Sequence, residues 1–150
     1  MVELKLTSTV FEEGGTIPSK YTCEGLDVNP PLEIAGVPKN AKSIVLIVDD
    51  PDAPSKVWDH WVMWNIPPDT KKIEEDSVPE GAVQGVNDFK RREYGGPCPP
   101  PGPPHRYRFK LYALDTVLDL APTSTKKEVE KAMSGNILAQ TALVGLYQRS

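Results

Sequence analysis

Three runs of the chain alternate apolar and polar residues with a period of two, the pattern of strands that bury one face. In the run from Ser43 to Asp50, the row Ile44, Leu46, Val48 ends on Asp50. In the run from His60 to Ile66, the row His60, Val62, Trp64, Ile66 opens on an imidazole. In the third, His105, Tyr107, Phe109, Leu111 and Ala113 share one face, while Arg106, Arg108 and Lys110 take the other and are expected to point outward. Asp50, His60, His105 and Tyr107 therefore belong to apolar rows and are expected to face the core. The loop Pro51 to Trp58 joins the first run to the second, which places Asp50 and His60 on one rim of a sheet. His105 opens its strand after another proline-rich loop and reaches the same rim if that strand pairs nearby.

The remaining pattern fills in a β-rich outline. The run Ile44 to Val48 is apolar on both faces and rich in β-branched residues, as in a strand at the centre of a domain. Residues 3 to 9 alternate like an edge strand, and Gly81 to Val86 is a weaker strand. The segment Glu12 to Pro38 reads as loop-rich, with short strands at most. One helix is signalled. Thr125 and Glu128 have capping-box spacing, Val129, Ala132 and Met133 supply a stripe, and Gly135 is placed to end it. Between Ile137 and Gln148 a helical turn and a terminal strand compete, and a strand at Ala142 to Tyr147 is favoured. Trp64 falls in the inward row and reads as core. Trp61 points the other way, toward a second sheet or a contact with another copy of the chain, and Trp58 stands where it can stack on a ligand.

The 150 residues suit one domain, 1–150, with a real core. Sixteen prolines, clustered between apolar runs, argue for stiff connections and against a helical bundle. A net charge of −4 disfavours nucleic acid or an anionic membrane as a general partner, and Lys90, Arg91 and Arg92 read as a solvated loop. No apolar run approaches the roughly 20 residues of a membrane span, so the chain is expected to be soluble and cytoplasmic. Cys23 and Cys98 fit no zinc or thioredoxin spacing. Two independent small side chains and a bridge between loops both stay open, cytosolic bridges being rare outside hyperthermophiles. The proline-rich stretch Pro97 to Pro104 reads as a rigid wall of a pocket, with Gly95 and Gly96 letting backbone approach a ligand closely.

Asp50-Pro51-Asp52-Ala53-Pro54, then Trp58-Asp59-His60-Trp61, then Tyr94-Gly95-Gly96-Pro97-Cys98-Pro99-Pro100 leading to His105-Arg106-Tyr107, together resemble the phosphatidylethanolamine-binding protein family. The resemblance is closest to its bacterial and archaeal, Raf-kinase-inhibitor-like branch. Flanking text such as Tyr21-Thr22-Cys23-Glu24-Gly25 and Pro30-Pro31-Leu32 also resembles that branch, and the likeness covers essentially the whole chain. It implies a mostly β fold, with a large central antiparallel sheet packed on a smaller one and one or two short peripheral helices. It also implies a small cavity that takes an anion such as phosphate, acetate or a phosphoethanolamine head group. Carried over by motif position, Asp50, His60, His105 and Tyr107 match the family's polar pocket lining, and Trp58, Gly96, Pro97 and Pro99 its apolar and backbone contacts. Eukaryotic members continue past the last strand into a helix that helps close the pocket; a chain stopping at Ser150 is expected to have a more open mouth.

Two imidazoles and a phenol can donate hydrogen bonds to an anion. Asp50 would repel a phosphate yet can orient a histidine or meet the ammonium of an ethanolamine. Histidines titrating near the ordinary value of about 6.5 predict anion affinity that falls as pH rises. The expected function is thus non-enzymatic binding of a small anionic or phosphorylated ligand, with possible regulation of a protein partner. No metal and no cofactor are expected: two histidines and a carboxylate form a candidate metal set, but no His-x-His or His-x-x-x-His pair supports it. A Cys98–His105 thiol hydrolase is the enzymatic alternative, and no feature that lowers the thiol's pKa is visible to support it. The runner-up is an inhibitor of a serine protease or kinase that docks through the loops Pro51 to Trp58 and Pro97 to Pro104. A homodimer stays open as a further partner.

Overall fold

The computed structural model describes residues 3–149, so Met1, Val2 and Ser150 of the expected domain lie outside the described residues. In chain order the elements are β1 (Lys5–Thr7), a 3-10 turn (Ser19–Tyr21), β2 (Leu32–Ala35), β3 (Ser43–Asp50) and β4 (Trp58–Ile66). Then come β5 (Lys72–Ile73), β6 (Val83–Gln84), β7 (His105–Leu114), α1 (Lys126–Met133) and β8 (Ile137–Tyr147). A five-stranded sheet runs β6-β4-β3-β7-β8 and a three-stranded sheet β1-β2-β5, with every strand pair antiparallel. This is the mostly β, two-sheet architecture that the resemblance implies. β8 begins at Ile137 rather than Ala142, so the ambiguous stretch is strand throughout. β2 falls in the loop-rich stretch that admits short strands at most, and β5 in a stretch with no assigned element; at four and two residues they are too short to show a period.

The large sheet buries both faces. One face packs on the small sheet: Ile44, Leu46 and Val48 of β3, Trp61 and Met63 of β4, and Tyr107, Phe109 and Leu111 of β7 meet Leu6, Leu32, Ile34 and Ile73. The other face packs on α1, where Val45, Ile47, Val62 and Trp64 meet Leu118, Val129 and Met133. The helix has the expected capping box between Thr125 and Glu128, and Gly135, at φ +83°, turns the chain after it.

The row His60, Val62, Trp64, Ile66 is not one face. β3 and β7 pair without a break from Ser43↔Leu114 to Asp49↔Arg108, but β4 carries an extra residue twice. Val48 pairs with Trp61 and Asp49 with Asp59, leaving His60 over; Leu46 pairs with Met63 and Ile44 with Ile66, leaving a second residue over beside Asn65. Each extra residue flips the alternation. Asn65 takes up the second kink at φ +56° and exchanges two hydrogen bonds of 2.8 Å with Leu118. Val62 and Trp64 therefore face the helix, and Trp61 faces the small sheet at 1% exposure. The second-sheet reading of Trp61 holds, and a dimer contact through it does not.

Arg108 and Lys110 do not simply point into solvent. They reach Asp49, wholly buried on the helix side, at 2.7 and 2.8 Å, while Lys126 of α1 bridges Asp49 at 3.5 Å and Asp59 at 2.6 Å. Burial alone would raise the Asp49 carboxyl, but hydrogen bonds and charge from Arg108 and Lys110 outweigh it and hold it below the usual range. Asp59, desolvated and answered chiefly by Lys126, is pushed up. The helix is thereby tied to the two strand ends next to Asp50 and His60. Lys126→Met, which strands the Asp59 carboxylate, is expected to cost about 2–4 kcal/mol. The readout is a lower urea midpoint at unchanged m-value, with much of the loss recovered in Lys126→Met/Asp59→Asn.

Candidate functional site

The end of the large sheet where β3 stops and β4 and β7 begin opens into a cavity of about 240 Å³. It is lined by Asp50, His60, His105 and Tyr107 with Trp58, Phe89, Cys98, Pro99, Pro100 and the loop residues Ala53, Pro54 and Ser55. All four expected polar groups meet there. Asp50 closes its apolar row at 3% exposure, and Tyr107, wholly buried, follows from the unbroken β7 row. His60 arrives by its bulge. The bulged carbonyl accepts from Gly95 N and Asn87 Nδ2, both at 3.0 Å, so the extra residue leaves no orphan acceptor there.

The hydrogen bonds decide which atoms are free for a ligand. Asp50 Oδ1 accepts from the Asp52 amide at 2.7 Å, and Oδ2 lies 2.7 Å from His105 Nδ1. His105 Nδ1–H donates to that carboxylate, leaving Nε2 for the cavity. His60 Nδ1 lies 2.7 Å from the Gly95 carbonyl, which can only accept, so the proton sits on Nδ1 and Nε2 is again the free atom. Burial pushes the His60 imidazole down, outweighing the Gly95 bond and the Asp50 charge. The ring is therefore neutral at pH 7, and the anion attraction expected of two ordinary imidazoles does not apply to it. Tyr107 Oη is buried without a well-formed hydrogen bond among the described residues, with the Asp50 carboxylate beside it. Desolvation first, then the neighbouring Asp50 carboxylate, push its phenol far up, so it remains a donor.

The walls are aromatic and proline. Phe89 meets Trp58 and His60 edge-on at ring separations of 5.7 and 5.2 Å, and His60 meets Tyr107 edge-on at 5.3 Å. The loop after β3 is pinned by Arg106, whose guanidinium grips Asp52 at 2.9 and 3.0 Å and draws that carboxyl down to about 2.

Gly96 and Pro97 stand one layer behind the lining. Gly96 N donates to Asp27 Oδ1 at 2.7 Å, and Pro97 O accepts from Cys23 N at 3.1 Å. The glycines admit protein rather than ligand. A Cβ on Gly95 would stand 2.5 Å from the Phe89 ring, and one on Gly96 2.3 Å from Tyr21 O. Cys23 and Cys98 are bridged, which resolves the open pairing and removes Cys98 as a free thiol. Phe89 was overlooked, a lone aromatic beside a basic cluster with no periodicity to mark it. A larger groove of about 760 Å³ along Ile34–Lys39 and Pro68–Lys71 shares no residue with this site.

An antiparallel two-sheet β fold with an acid, two imidazoles and a phenol gathered in a cleft at one sheet end defines the class of domain. The chain belongs to the phosphatidylethanolamine-binding protein family, whose sequence profile matches residues 7–148. A UPF0098 protein of Methanothermobacter thermautotrophicus is 54% identical over 151 residues, covering 97% of this chain and 99% of the relative. One of Pyrococcus abyssi is 53% identical over 155 residues, covering 98% and 86%. Among solved structures, a phosphatidylethanolamine-binding protein homolog from Chlamydia trachomatis superposes at TM-score 0.95 with 41% identity over 100% of both chains. E. coli YbcL, described as a member of the mammalian family, superposes at 0.93 with 34% identity over 99% of both. No helix among the described residues is long and apolar enough to cross a membrane.

His60 offers a pH test of the site. A group whose folded pKa lies below its unfolded value of about 6.5 supports the fold above that pH and withdraws support as pH falls. His60→Gln, which keeps a donor for Gly95, is expected to lose less stability than the parent between about pH 7 and about pH 5. Parallel pH slopes in chemical denaturation would show that His60 is not held neutral.

Proposed function

We propose that the chain is a binder, not a catalyst, of a small phosphorylated ligand that carries a proton or an ammonium of its own. Inorganic phosphate as its dihydrogen monoanion and phosphoethanolamine are the models. The observation that carries this reading is the Tyr107 hydroxyl, buried in the cavity wall beside Asp50 without a well-formed hydrogen bond among the described residues; native interiors rarely leave such a donor unmet, and an oxygen of the ligand meets it. The donor balance of the cavity refines it. Asp50 and the Nε2 of neutral His60 are acceptors, so a bare dianion would meet repulsion and a lone pair. A P–O–H or an ammonium supplies what they need, while a remaining phosphoryl oxygen takes the Tyr107 hydroxyl and, where the His105 ring carries both protons, its Nε2–H. About 240 Å³ is below the roughly 300–1,000 Å³ of drug-sized sites, which suits a head group rather than a lipid with its chains. The family description supports the same ligand class.

Calorimetry with phosphate, phosphoethanolamine and sulfate tests this. Sulfate, a dianion without a proton, is expected to bind at least about 10-fold more weakly than phosphate, one charged hydrogen bond's worth. Phosphate affinity should fall as pH rises past its second ionisation, and Tyr107→Phe should weaken binding by a similar factor. Equal binding of sulfate and phosphate would overturn the donor argument.

The second reading is inhibition of a protein partner through the pocket rim. The observation in its favour is the exposure of the whole strip Pro100 to Pro104 beside the mouth, together with Val57 at 37%. A panel of serine-protease inhibition assays on the full chain, with and without phosphate, separates the two.

A further inference from the structure

The cavity wall from Cys98 to Pro101 has an unusual weakness. Between Pro97 and Pro104 only Cys98 and Gly102 have backbone N–H groups, the other six residues being proline. Among the described residues, no hydrogen bond holds residues 98 to 101. The strip is tied before this span by Pro97 O to Cys23 N at 3.1 Å, and after it by Gly102 O to Gln148 Nε2 at 2.7 Å. In between, the Cys23–Cys98 bridge is the one bonded link to the rest of the fold. The bridge is also reachable: both cysteines are exposed, and Cys98 lines the cavity beside Pro99 and Pro100. The strip on the near side of the bridge is, by contrast, well held. Tyr94 Oη donates to Tyr21 O at 2.9 Å and Gly96 N to Asp27 at 2.7 Å, so His60 keeps its Gly95 carbonyl whatever happens at Cys98.

We propose that the Cys23–Cys98 bridge is a thiol–disulfide exchange site, and that its redox state sets how tightly the cavity grips its ligand, with a dithiol reductant as the reacting partner. The proposal rests on the ligand reading above and adds the regulation of that site. A thiolate of the reductant attacks one sulfur of the bridge between these two exposed residues, forming a mixed disulfide and releasing the other cysteine as a thiolate. The reductant's second thiol then displaces the remaining cysteine and leaves as its own disulfide, so two electrons pass to the protein and two thiols are formed. Exposed bridges are the reducible class. Once open, Cys98 to Pro101 swings on ties five residues apart, at Pro97 and Gly102, and the wall that carries Pro99 and Pro100 is in place for only part of the time. Affinity falls by that fraction. The polar floor of Asp50, His60, His105 and Tyr107 does not depend on the bridge and stays assembled.

The experiment compares the folded protein as isolated, after reduction by a small dithiol without denaturant, and after reoxidation, using inorganic phosphate as the calorimetric probe. Phosphate affinity is expected to drop about 10-fold on reduction, the fall produced when the closed wall is populated one time in ten, and to return on reoxidation. Cys23→Ser/Cys98→Ser should bind like the reduced form and ignore the reductant. Equal affinity in the two redox states overturns the proposal, as does a response to reductant in the double variant or a bridge that resists the dithiol in the native state. Acrylamide quenching of Trp58, the partly exposed tryptophan that lines the same cavity, reads the wall with no ligand present. Stronger quenching on reduction supports the switch even where phosphate fails to bind, an outcome that would sink the ligand reading alone. Unchanged quenching sinks the switch.

Discussion

The site depends on one extra residue in a strand. β4 spends two consecutive positions, His60 and Trp61, on the same face of the large sheet, because Asp59 rather than His60 pairs with Asp49. Without that bulge, strict alternation would turn the imidazole toward α1 and the Asp49 cluster, and the cavity would hold one histidine instead of two. The bulge is possible because its freed carbonyl finds Gly95 N and Asn87 Nδ2, and because the Gly95 carbonyl takes the ring's own proton. Loop 87–95 is thus a template for the kink as well as a wall. It positions His60 through backbone atoms at both ends of the residue, which fixes tautomer and ring orientation together.

Much of this was legible in the sequence where strands pair without interruption. The rows of β3 and β7 run true from end to end, so Asp50 and Tyr107 could be placed at the cavity by counting twos. His60 was assigned to the right cleft by the wrong route, since the row it was thought to lead is broken twice. A signal of the break is present in retrospect. Trp61-Val62-Met63-Trp64 is apolar on both faces, so polarity cannot report which side each residue takes, and Asn65 is among the few residues that tolerate a left-handed kink. The short strands β2 and β5 carried too few residues to show any period. Gly96 and Pro97 fell within the motif that carries the family resemblance, but a motif cannot distinguish a residue that touches the ligand from one that supports its neighbour.

The two faces of the sheet are linked by adjacent residues. Asp49 and Asp50 stand side by side at the end of β3 and point in opposite directions, each almost wholly buried. Asp49 is answered by three cations and ties helix to sheet. Among the described residues no Lys or Arg forms an ion pair with Asp50; a backbone amide and an imidazole complete it. The contrast separates a carboxylate used for anchoring from one kept for the cavity. A Lys or Arg beside Asp50 would neutralise it and leave the cleft a plain anion trap.

That difference bears on how an acid fits the phosphorylated-ligand site proposed above. Electrostatics alone would exclude it: a carboxylate a few ångströms from a phosphate dianion is repulsive, more so in a dry cleft. The repulsion is limited because both Asp50 oxygens already accept hydrogen bonds, and it is selective because it acts on charge rather than shape. Discrimination against a dianion of nearly the same size then follows from the penalty of placing it beside Asp50 rather than from any stronger attraction to the preferred ligand. A neutral His60 works to the same end. Its free nitrogen presents a lone pair, so the cavity asks its ligand for a hydrogen as well as for oxygens.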